Sequence, residues 1–221
     1  MLELIDIKKS YSGNKPILEK VNFKVDSGEF LFLTGVSGAG KTTIYKMILG
    51  LEKCDEGKII FMDKDINQIP HNKLPFHRRN IGMVFQDYKL LNKRTVWENL
   101  SIPLMIHGTG NKIINQKIDK IAEEMKITHL LRQKIFSLSG GEQQLTAIAR
   151  SAITSPKLIM ADEPTANLDE ETANNIISIL RQLQKDGTAV IIATHNLQLI
   201  KKNADRLLLV KDREVHELYQ H

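Results

Sequence analysis

This chain of 221 residues is 42% apolar and 26% charged, which is the composition of a soluble globular protein with one substantial core. No segment approaches the ~18 uninterrupted apolar residues that a membrane-spanning helix needs. Residues 1–6 lack the basic and apolar regions of a secretion signal. The single cysteine, Cys54, excludes an internal disulfide, so we expect a free structural thiol in a reducing cytoplasm.

Part of the net charge of +5 is concentrated in residues 71–94. Six basic residues there face one acidic residue, Asp87: Lys73, Arg78, Arg79, Lys89, Lys93 and Arg94. The segment is either a solvated loop face or a surface near anionic phospholipid, where each cation adds about 1 kcal/mol of attraction. A nucleic-acid partner is not expected, because the charges are not interleaved with aromatic residues as a base-stacking platform requires.

Short apolar runs alternate with helical patterns along the chain, which is typical of an α/β fold. Residues 21–25 alternate apolar and polar positions, which predicts a strand with one wet face. Together with the N-terminal strands and residues 58–62 they predict an antiparallel flank. Four nearly continuous apolar runs predict strands buried on both faces of a parallel sheet: Phe30–Thr34, Ile81–Phe85, Leu158–Ala161 and Ala189–Ala193.

A glycine-rich loop follows the first of these buried runs. Its glycines let backbone N–H groups approach phosphate oxygens, and a helix predicted to start near Lys41 adds the positive end of its dipole. Lys41 would contact the β- and γ-phosphates, and the Thr42 hydroxyl suits Mg²⁺. The predicted nucleotide site comprises Gly35, Val36, Ser37, Gly38, Ala39, Gly40, Lys41, Thr42 and Thr43.

The middle of the chain has a helical pattern. Four apolar residues repeat at spacings of four, three and four, which places them on one helical face: Ile114, Ile118, Ile121 and Met125. No strand-like run separates residues 111 and 135. We therefore predict one domain over residues 1–221, with a core lobe at about 1–87 and 155–221 and a helical lobe at about 88–154.

Residues 138–143 read as a glycine-containing turn into a helix that starts at about Glu142. The Ser139 hydroxyl and the N–H groups of Gly140 and Gly141 would form a second anion site at that helix start. Two anion sites on different lobes do not plausibly reach one phosphate within a single chain. Two chains arranged by a two-fold axis could form two composite sites.

Asp162 and Glu163 end the third buried run, at the edge of a parallel sheet where ligands bind. Adjacent residues of a strand point to opposite faces, so their carboxylates serve different purposes. Asp162 is the candidate to hold Mg²⁺ through water, and Glu163 the candidate to orient or deprotonate the attacking water. The alternative is two acids that merely end a strand before Pro164.

These motifs occur in the order 35–42, 138–143 and 158–163. In this order they resemble the ATP-binding cassette (ABC) family, and the resemblance covers essentially the whole chain. It implies an α/β fold of the ABC-type P-loop NTPase class, with a RecA-like mixed or parallel sheet core, an antiparallel β flank and an inserted α-helical lobe. It also implies ATP hydrolysis with ATP and Mg²⁺ as cofactors, and a homodimer that forms on ATP binding.

The resemblance assigns roles to further positions. Gln86 matches the glutamine that senses Mg²⁺ and contacts the membrane partner, so it joins the predicted metal site. His195 matches the switch histidine at the γ-phosphate, so it joins the predicted catalytic residues. Residues 167–169 match the loop that crosses the dimer interface. Tyr11 matches the aromatic ring that lies against adenine, and Glu142 belongs to the signature that completes the nucleotide site.

The resemblance also implies an integral membrane subunit, which would hold the chain at the cytoplasmic face of the cell membrane. Three segments resemble the cell-division subfamily FtsE in particular: Phe30–Gly35, Pro75–Arg79 and Ile81–Asn99. The last of them enters the helical lobe, which in this family receives the coupling helix of the membrane subunit. The implied partner is FtsX, and the implied role is control of cell-wall hydrolases during division.

Other functions are left open. Lipoprotein-releasing and macrolide-exporting ATPases share the run Glu142–Gln144, and a soluble ABC protein acting on DNA or ribosomes is a second alternative. A binding module without hydrolysis is disfavoured because the predicted catalytic positions are intact. Two positions depart from the family pattern: Leu145 replaces the usual arginine, which puts local packing in question, and Ala166 replaces the usual glycine.

Overall fold

A computed structural model describes residues 1–11 and 15–218. The strands are β1 (Leu2–Ser10), β2 (Pro16–Val25), β3 (Phe30–Thr34), β4 (Glu56–Phe61), β5 (Lys64–Asp65), β6 (Ile81–Val84), β7 (Leu158–Asp162), β8 (Ala189–Ala193), β9 (Leu207–Lys211) and β10 (Glu214–Leu218). The helices are α1 (Lys41–Ile48), α2 (Leu74–Arg78), α3 (Val96–Ile106), α4 (Asn111–Glu124), α5 (Gly140–Ala152), α6 (Glu170–Lys185) and α7 (Leu197–Asn203). The fold is mixed α/β, as predicted.

Two sheets form the framework. A four-stranded antiparallel sheet has the order β2-β1-β4-β5, which confirms the predicted antiparallel flank. A six-stranded sheet has the order β10-β9-β3-β8-β7-β6, in which β10 is the antiparallel edge strand. The carboxyl ends of β3, β6, β7 and β8 therefore meet at one edge of this sheet.

The parallel strands are buried on both faces, as their continuous apolar runs predicted. Alternate residues of β3 enter different cores: Leu31 and Leu33 pack with α1 and the antiparallel sheet, whereas Phe30 and Phe32 pack with the helices on the other side. The same alternation in β7 and β8 extends both cores across the sheet. The sheet is thus packed between two apolar layers, and this packing fixes the positions of the strand ends at its carboxyl edge.

Helices α3, α4 and α5 lie in the chain between β6 and β7, which matches the predicted helical insertion. All four residues of the predicted helical face are buried: Ile114, Ile118, Ile121 and Met125. Leu145 packs half-buried against the same core, so its side chain takes an apolar role in α5. Within the described ranges, no helix is both long enough and apolar enough to cross a bilayer.

The end of α5 lies directly on β6. A β-carbon added to Gly82 would lie 2.5 Å from the carbonyl oxygen of Ser151 and 3.1 Å from the side chain of Ile159. Only glycine therefore allows this approach between helix and strand. The last turn of α5 is fixed to the sheet at Ser151, while its first residue, Gly140, lies eleven positions earlier.

Two arginines of the basic segment 71–94 make hydrogen bonds to the ends of neighbouring helices. Arg78 donates hydrogen bonds to the carbonyl oxygens of Leu49 and Gly50, at the end of α1. Arg79 donates to the carbonyl oxygen of Ile106 at the end of α3. Cations at helix C-termini complement the helix dipole, so these two arginines stabilise helix ends.

Candidate nucleotide site

The glycine-rich loop connects β3 to α1, and its backbone leaves no room for a side chain at Gly35 or Gly40. Gly40 has a φ of 109°, and a β-carbon there would lie 2.7 Å from Leu18 Cδ2. A β-carbon on Gly35 would lie 2.5 Å from the Val210 carbonyl oxygen. The α1 helix begins at Lys41, as predicted, and carries no acidic residue in its first turn. The first turn therefore adds no negative charge of its own to the positive end of the helix, which faces the loop.

Lys41 and Thr42 direct their polar atoms to different partners. The Lys41 Nζ donates hydrogen bonds to the carbonyl oxygens of Gly35 (2.7 Å) and Val36 (3.2 Å), so the ammonium group lies across the loop. The Thr42 Oγ1 donates to Asp162 Oδ2 at 3.2 Å. The Lys41 ammonium group thus contacts the loop backbone, whereas the Thr42 hydroxyl connects α1 to the carboxylate of Asp162.

Asp162 is the last residue of β7 and is half-buried beside α1. Burial raises the pKa of this carboxyl above its ordinary value, and the hydrogen bond from Thr42 opposes part of that rise. The buried hydroxyl of Tyr45, another residue of α1, contacts the carbonyl oxygens of Ile191 (3.0 Å) and Ala161 (3.3 Å). Helix α1 is therefore attached to β7 near its end and to β8 at its middle residue.

Glu163 follows β7 with a φ of 47°, so the backbone leaves the extended conformation of the strand at this residue. Its Oε2 accepts a hydrogen bond from Thr194 Oγ1 at 2.8 Å, and its Oε1 accepts one from the His195 backbone N–H at 3.1 Å. The ring Nδ1 of His195 lies 2.6 Å from the same Oε1. The Glu163 side chain is 11% exposed, whereas that of His195 is 75% exposed.

These residues line one open groove at the carboxyl edge of the sheet. The predicted members that it brings together are Val36, Ser37, Gly38, Ala39, Gly40, Lys41, Thr42, Thr43, Gln86, Asp162, Glu163 and His195. Ile17 lines the groove as well and was not predicted, because an apolar residue of a neighbouring sheet carries no sequence signal. Thr194 was also missed, although a polar residue at the end of a buried strand next to His195 could have indicated it.

Tyr11 and the signature residues lie elsewhere. Tyr11 is 40% exposed, lies 5.4 Å below the Lys9 ammonium and is not among the described residues that line the groove. The groove lining that the structure describes also includes none of residues 139–142. Among the described residues of one chain, the groove thus combines the loop, the two carboxylates and the histidine, while residues 139–142 lie outside it.

The predicted start of α5 at Glu142 was wrong. The helix begins at Gly140, because Ser139 and Glu142 form a capping box: the Glu142 N–H donates to Ser139 Oγ, and Glu142 Oε2 accepts from the Ser139 N–H at 2.8 Å. Ser139 Oγ also donates to Glu142 Oε2 at 2.7 Å, and these hydrogen bonds lower the pKa of Glu142. The Ser139 hydroxyl is therefore engaged within its own helix.

The comparisons with known proteins identify the family. The profile described as "ABC transporter" matches residues 18–166. The chain belongs to the ABC transporter family. It is therefore an ABC-type ATPase, as the order of its motifs predicted, and its fold is that of an ABC cassette.

Two relatives and one solved structure indicate its position in that family. The chain is 38% identical over 216 residues to the cell division ATP-binding protein FtsE of Escherichia coli (strain K12), covering 98% of this chain and 97% of that protein. It is 37% identical to the methionine import ATP-binding protein MetN of Clostridium acetobutylicum, covering 95% of this chain and 66% of that one. The ATP-binding cassette MJ0796, solved as a dimer in a post-hydrolysis state bound to ADP and Pi, matches with a TM-score of 0.90 at 30% identity, covering 100% and 99% of the two chains.

Proposed function

We propose that this ABC ATPase dimerises around ATP and drives an integral membrane partner of the FtsX type, and so regulates cell-wall hydrolysis during division. The observation that carries this proposal is the 38% identity to FtsE over 98% of the chain. That span includes residues 81–99, where we expect the identity of the membrane partner to be encoded. The protein would then lie at the cytoplasmic face of the cell membrane, bound to its partner.

The groove supports binding of ATP with Mg²⁺. Carboxylate and hydroxyl oxygens are the protein ligands that Mg²⁺ prefers, and the Thr42 and Asp162 oxygens lie 3.2 Å apart. These two residues, with Gln86, would hold the ion, whose charge would offset that of the phosphates. Lys41 would exchange its two carbonyl contacts for phosphate oxygens, which are stronger acceptors.

Glu163 is positioned as the general base for the attacking water. Three groups fix its carboxylate: the Thr194 hydroxyl, the His195 N–H and the His195 ring. If the ring Nδ1 donates to Glu163, the neutral ring has only an acceptor at Nε2. His195 would therefore contact a phosphate oxygen as an imidazolium, or after its ring leaves Glu163.

The second anion site would come from another copy of the chain. The groove contains no residue of 139–142 among those described, and MJ0796 forms a dimer. In a two-fold arrangement, Ser139 and the glycines of one chain would complete the groove of its partner. Tyr11 would add the aromatic contact to adenine. We propose the same single domain and two lobes that the sequence predicted, with the helical lobe presenting residues 139–142.

Transport is the second candidate function, because MetN is 37% identical to this chain. The two functions differ in the membrane protein that the ATPase drives, so the partner is the quantity to identify. We would solubilise membranes that contain the tagged Glu163→Gln variant and identify what co-purifies, with and without ATP. An FtsX-like protein supports the division role. A substrate-specific permease, a lipoprotein-release subunit or a macrolide exporter would overturn it while leaving the ATPase intact.

A further inference from the structure

The loop that follows Gln86 has an unusual backbone. Tyr88 and Lys89 have φ values of 58° and 48°, so two successive residues with β-carbons occupy the left-handed region. This conformation is unfavourable for such residues and persists only where surrounding contacts enforce it. The local bonds, from the Tyr88 N–H to the Phe85 carbonyl and from the Lys89 N–H to the Asp87 carbonyl, close the turn.

Arg150 supplies contacts that enforce this conformation. From the last turns of α5 its guanidinium donates one hydrogen bond to the Lys89 carbonyl at 2.7 Å and one to the Tyr88 carbonyl at 2.8 Å. A planar guanidinium with two directed N–H groups fixes both carbonyls at once, which a lysine ammonium does not do with the same geometry. Burial lowers the pKa of Arg150, and its half-buried guanidinium lies against two backbone carbonyls.

The same loop contacts the other end of α5. A β-carbon added to Gly140, the first residue of α5, would lie 3.6 Å from the Tyr88 hydroxyl. Two residues before Tyr88, Gln86 lines the groove together with Asp162 and Glu163. The loop thus lies beside the first turn of α5 at the Tyr88 hydroxyl and is hydrogen-bonded to α5 by Arg150 towards the other end.

We propose that Arg150 is a positioning residue for Gln86: by holding residues 88–89 in the left-handed conformation, it fixes where Gln86 lies in the groove and couples it to the helix that begins at Gly140. This inference rests on the proposed role of Gln86 in ATP hydrolysis. It predicts that removal of the Arg150 hydrogen bonds changes turnover through Gln86, whereas nucleotide binding at the glycine-rich loop is left unchanged.

A double-mutant cycle tests this route. We expect Arg150→Met to lower kcat by about tenfold to a hundredfold, the range expected for a displacement of about 1 Å, with KM for ATP unchanged. In the Gln86→Ala background Arg150→Met should change kcat by less than about twofold, because the Gln86 side chain that Arg150 positions is already absent. An equal, multiplicative loss in that background would show that Arg150 does not act through Gln86. Arg150→Lys, which keeps the charge, is the second variant should Arg150→Met not fold, and we expect it to show the same pattern.

A rescue experiment tests the backbone cause. Lys89→Gly removes the cost of a left-handed φ and should restore at least about half of the kcat lost in the Arg150 variant. Lys89→Ala is its control, since both substitutions delete the exposed side chain that pairs with Asp87 at 2.6 Å, but alanine keeps its β-carbon. Equal recovery with both substitutions, or recovery with neither, would overturn the conformational explanation.

Hydrogen exchange separates this inference from the proposed function. In the nucleotide-free chain, loss of the Arg150 hydrogen bonds should accelerate exchange of the Tyr88 and Lys89 amides by about tenfold or more, while amides of α5 exchange as before. This readout does not need ATPase activity. Unchanged exchange in Arg150→Lys and Arg150→Met would refute the positioning role, even where the ATPase assay gives no signal for the unmodified chain.

Discussion

The Nδ1 atom of His195 lies 2.6 Å from Oε1 of Glu163, and the backbone N–H of His195 donates to the same oxygen at 3.1 Å. The two residues follow neighbouring strands whose last paired positions are Asp162 and Ala193. The pairing of β7 with β8 therefore sets the distance between the proposed base and the histidine. A carboxylate with fixed partners keeps one orientation without the substrate, which favours proton abstraction from a water in one direction.

Replacement of Glu163 by Gln should separate binding from hydrolysis. The amide keeps an oxygen that accepts from Thr194 or His195, but it takes up no proton, so turnover should fall about 100-fold or more. ATP affinity, measured by titration with a fluorescent analogue, should remain within about twofold of that of the unmodified chain. The control is Glu123→Gln, at an exposed position of α4, which should hydrolyse normally. Near-normal turnover in Glu163→Gln would remove Glu163 from its proposed role.

Gly141→Ala should weaken the ATP-dependent dimer and spare binding of ATP to the monomer. A β-carbon here would lie 3.0 Å from Thr172 Cγ2 and would also face the partner chain in the proposed dimer. Thr172→Ser removes that methyl group and keeps the hydroxyl that donates to Asp169 Oδ2 at 2.7 Å. Light scattering in the Glu163→Gln background measures the dimer. If Thr172→Ser restores it, the defect is local crowding, and the composite phosphate site loses its support from this variant.

Asp162→Asn should stabilise the chain in the absence of Mg²⁺ while abolishing turnover. The pKa of Asp162 is raised above its ordinary value of 3.8 in the folded state. The folded state therefore holds this proton to higher pH than the unfolded state, and stability falls as pH rises through that interval. Asparagine does not ionise, so at pH 7 it avoids the loss of stability that comes from a buried, ionised carboxylate.

Thermal unfolding between pH 4 and pH 7 measures this difference for Asp162→Asn. The gain should be largest at pH 7 and should shrink as the pH approaches 4, with about 2–4 °C of Tm for each 1 kcal/mol in a chain of this size. Added Mg²⁺ and ATP should raise the Tm of the unmodified chain more than that of the variant. Asp119→Asn, exposed on α4, is the control. If Asp162→Asn were less stable than the unmodified chain at pH 7, the prediction that the ionised Asp162 carboxylate destabilises the fold would be wrong.

Tyr45→Phe should lower the free energy of unfolding by about 1 kcal/mol, the usual contribution of one buried hydrogen bond. The ring is fully buried, so phenylalanine keeps its packing and removes only the hydroxyl that contacts the Ile191 and Ala161 carbonyls. Urea unfolding should give a lower midpoint with an unchanged m value. A stability equal to that of the unmodified chain would mean that the hydroxyl contributes nothing to the attachment of α1.

Local patterns predicted the loop at 35–42, because a strand end and a helix start depend on neighbours in sequence. Strand alternation does not extend to Glu163, because β7 ends at Asp162, and both residues line the groove. The start of α5 was also encoded, since a serine three residues before a glutamate is the pattern of a capping box. The roles of Tyr11 and of residues 139–142 stay predictions, because they concern a ligand and a second chain.

Contacts between distant segments were not predictable in the same way. Arg78 and Arg150 donate to backbone carbonyls 28 to 62 positions away, and a carbonyl leaves no trace in the sequence. A basic segment therefore looked like one charged surface, although two of its arginines stabilise helix ends. Thr194 differs, because its place after a buried strand and next to His195 is a local signal, even though its partner, Glu163, follows another strand.

The close approach of Ser151 to Gly82 determines how far the first turn of α5 moves when the helix tilts. Helix α5 rests on β6 at Ser151, and Ser139 lies twelve positions earlier, or about 18 Å along the helix axis. A tilt of about 6° around that support would move Ser139 by about 2 Å, which is enough to make or break a hydrogen bond. A larger residue at position 82 would therefore disturb chemistry at the far end of the helix before it disturbed the sheet beneath it.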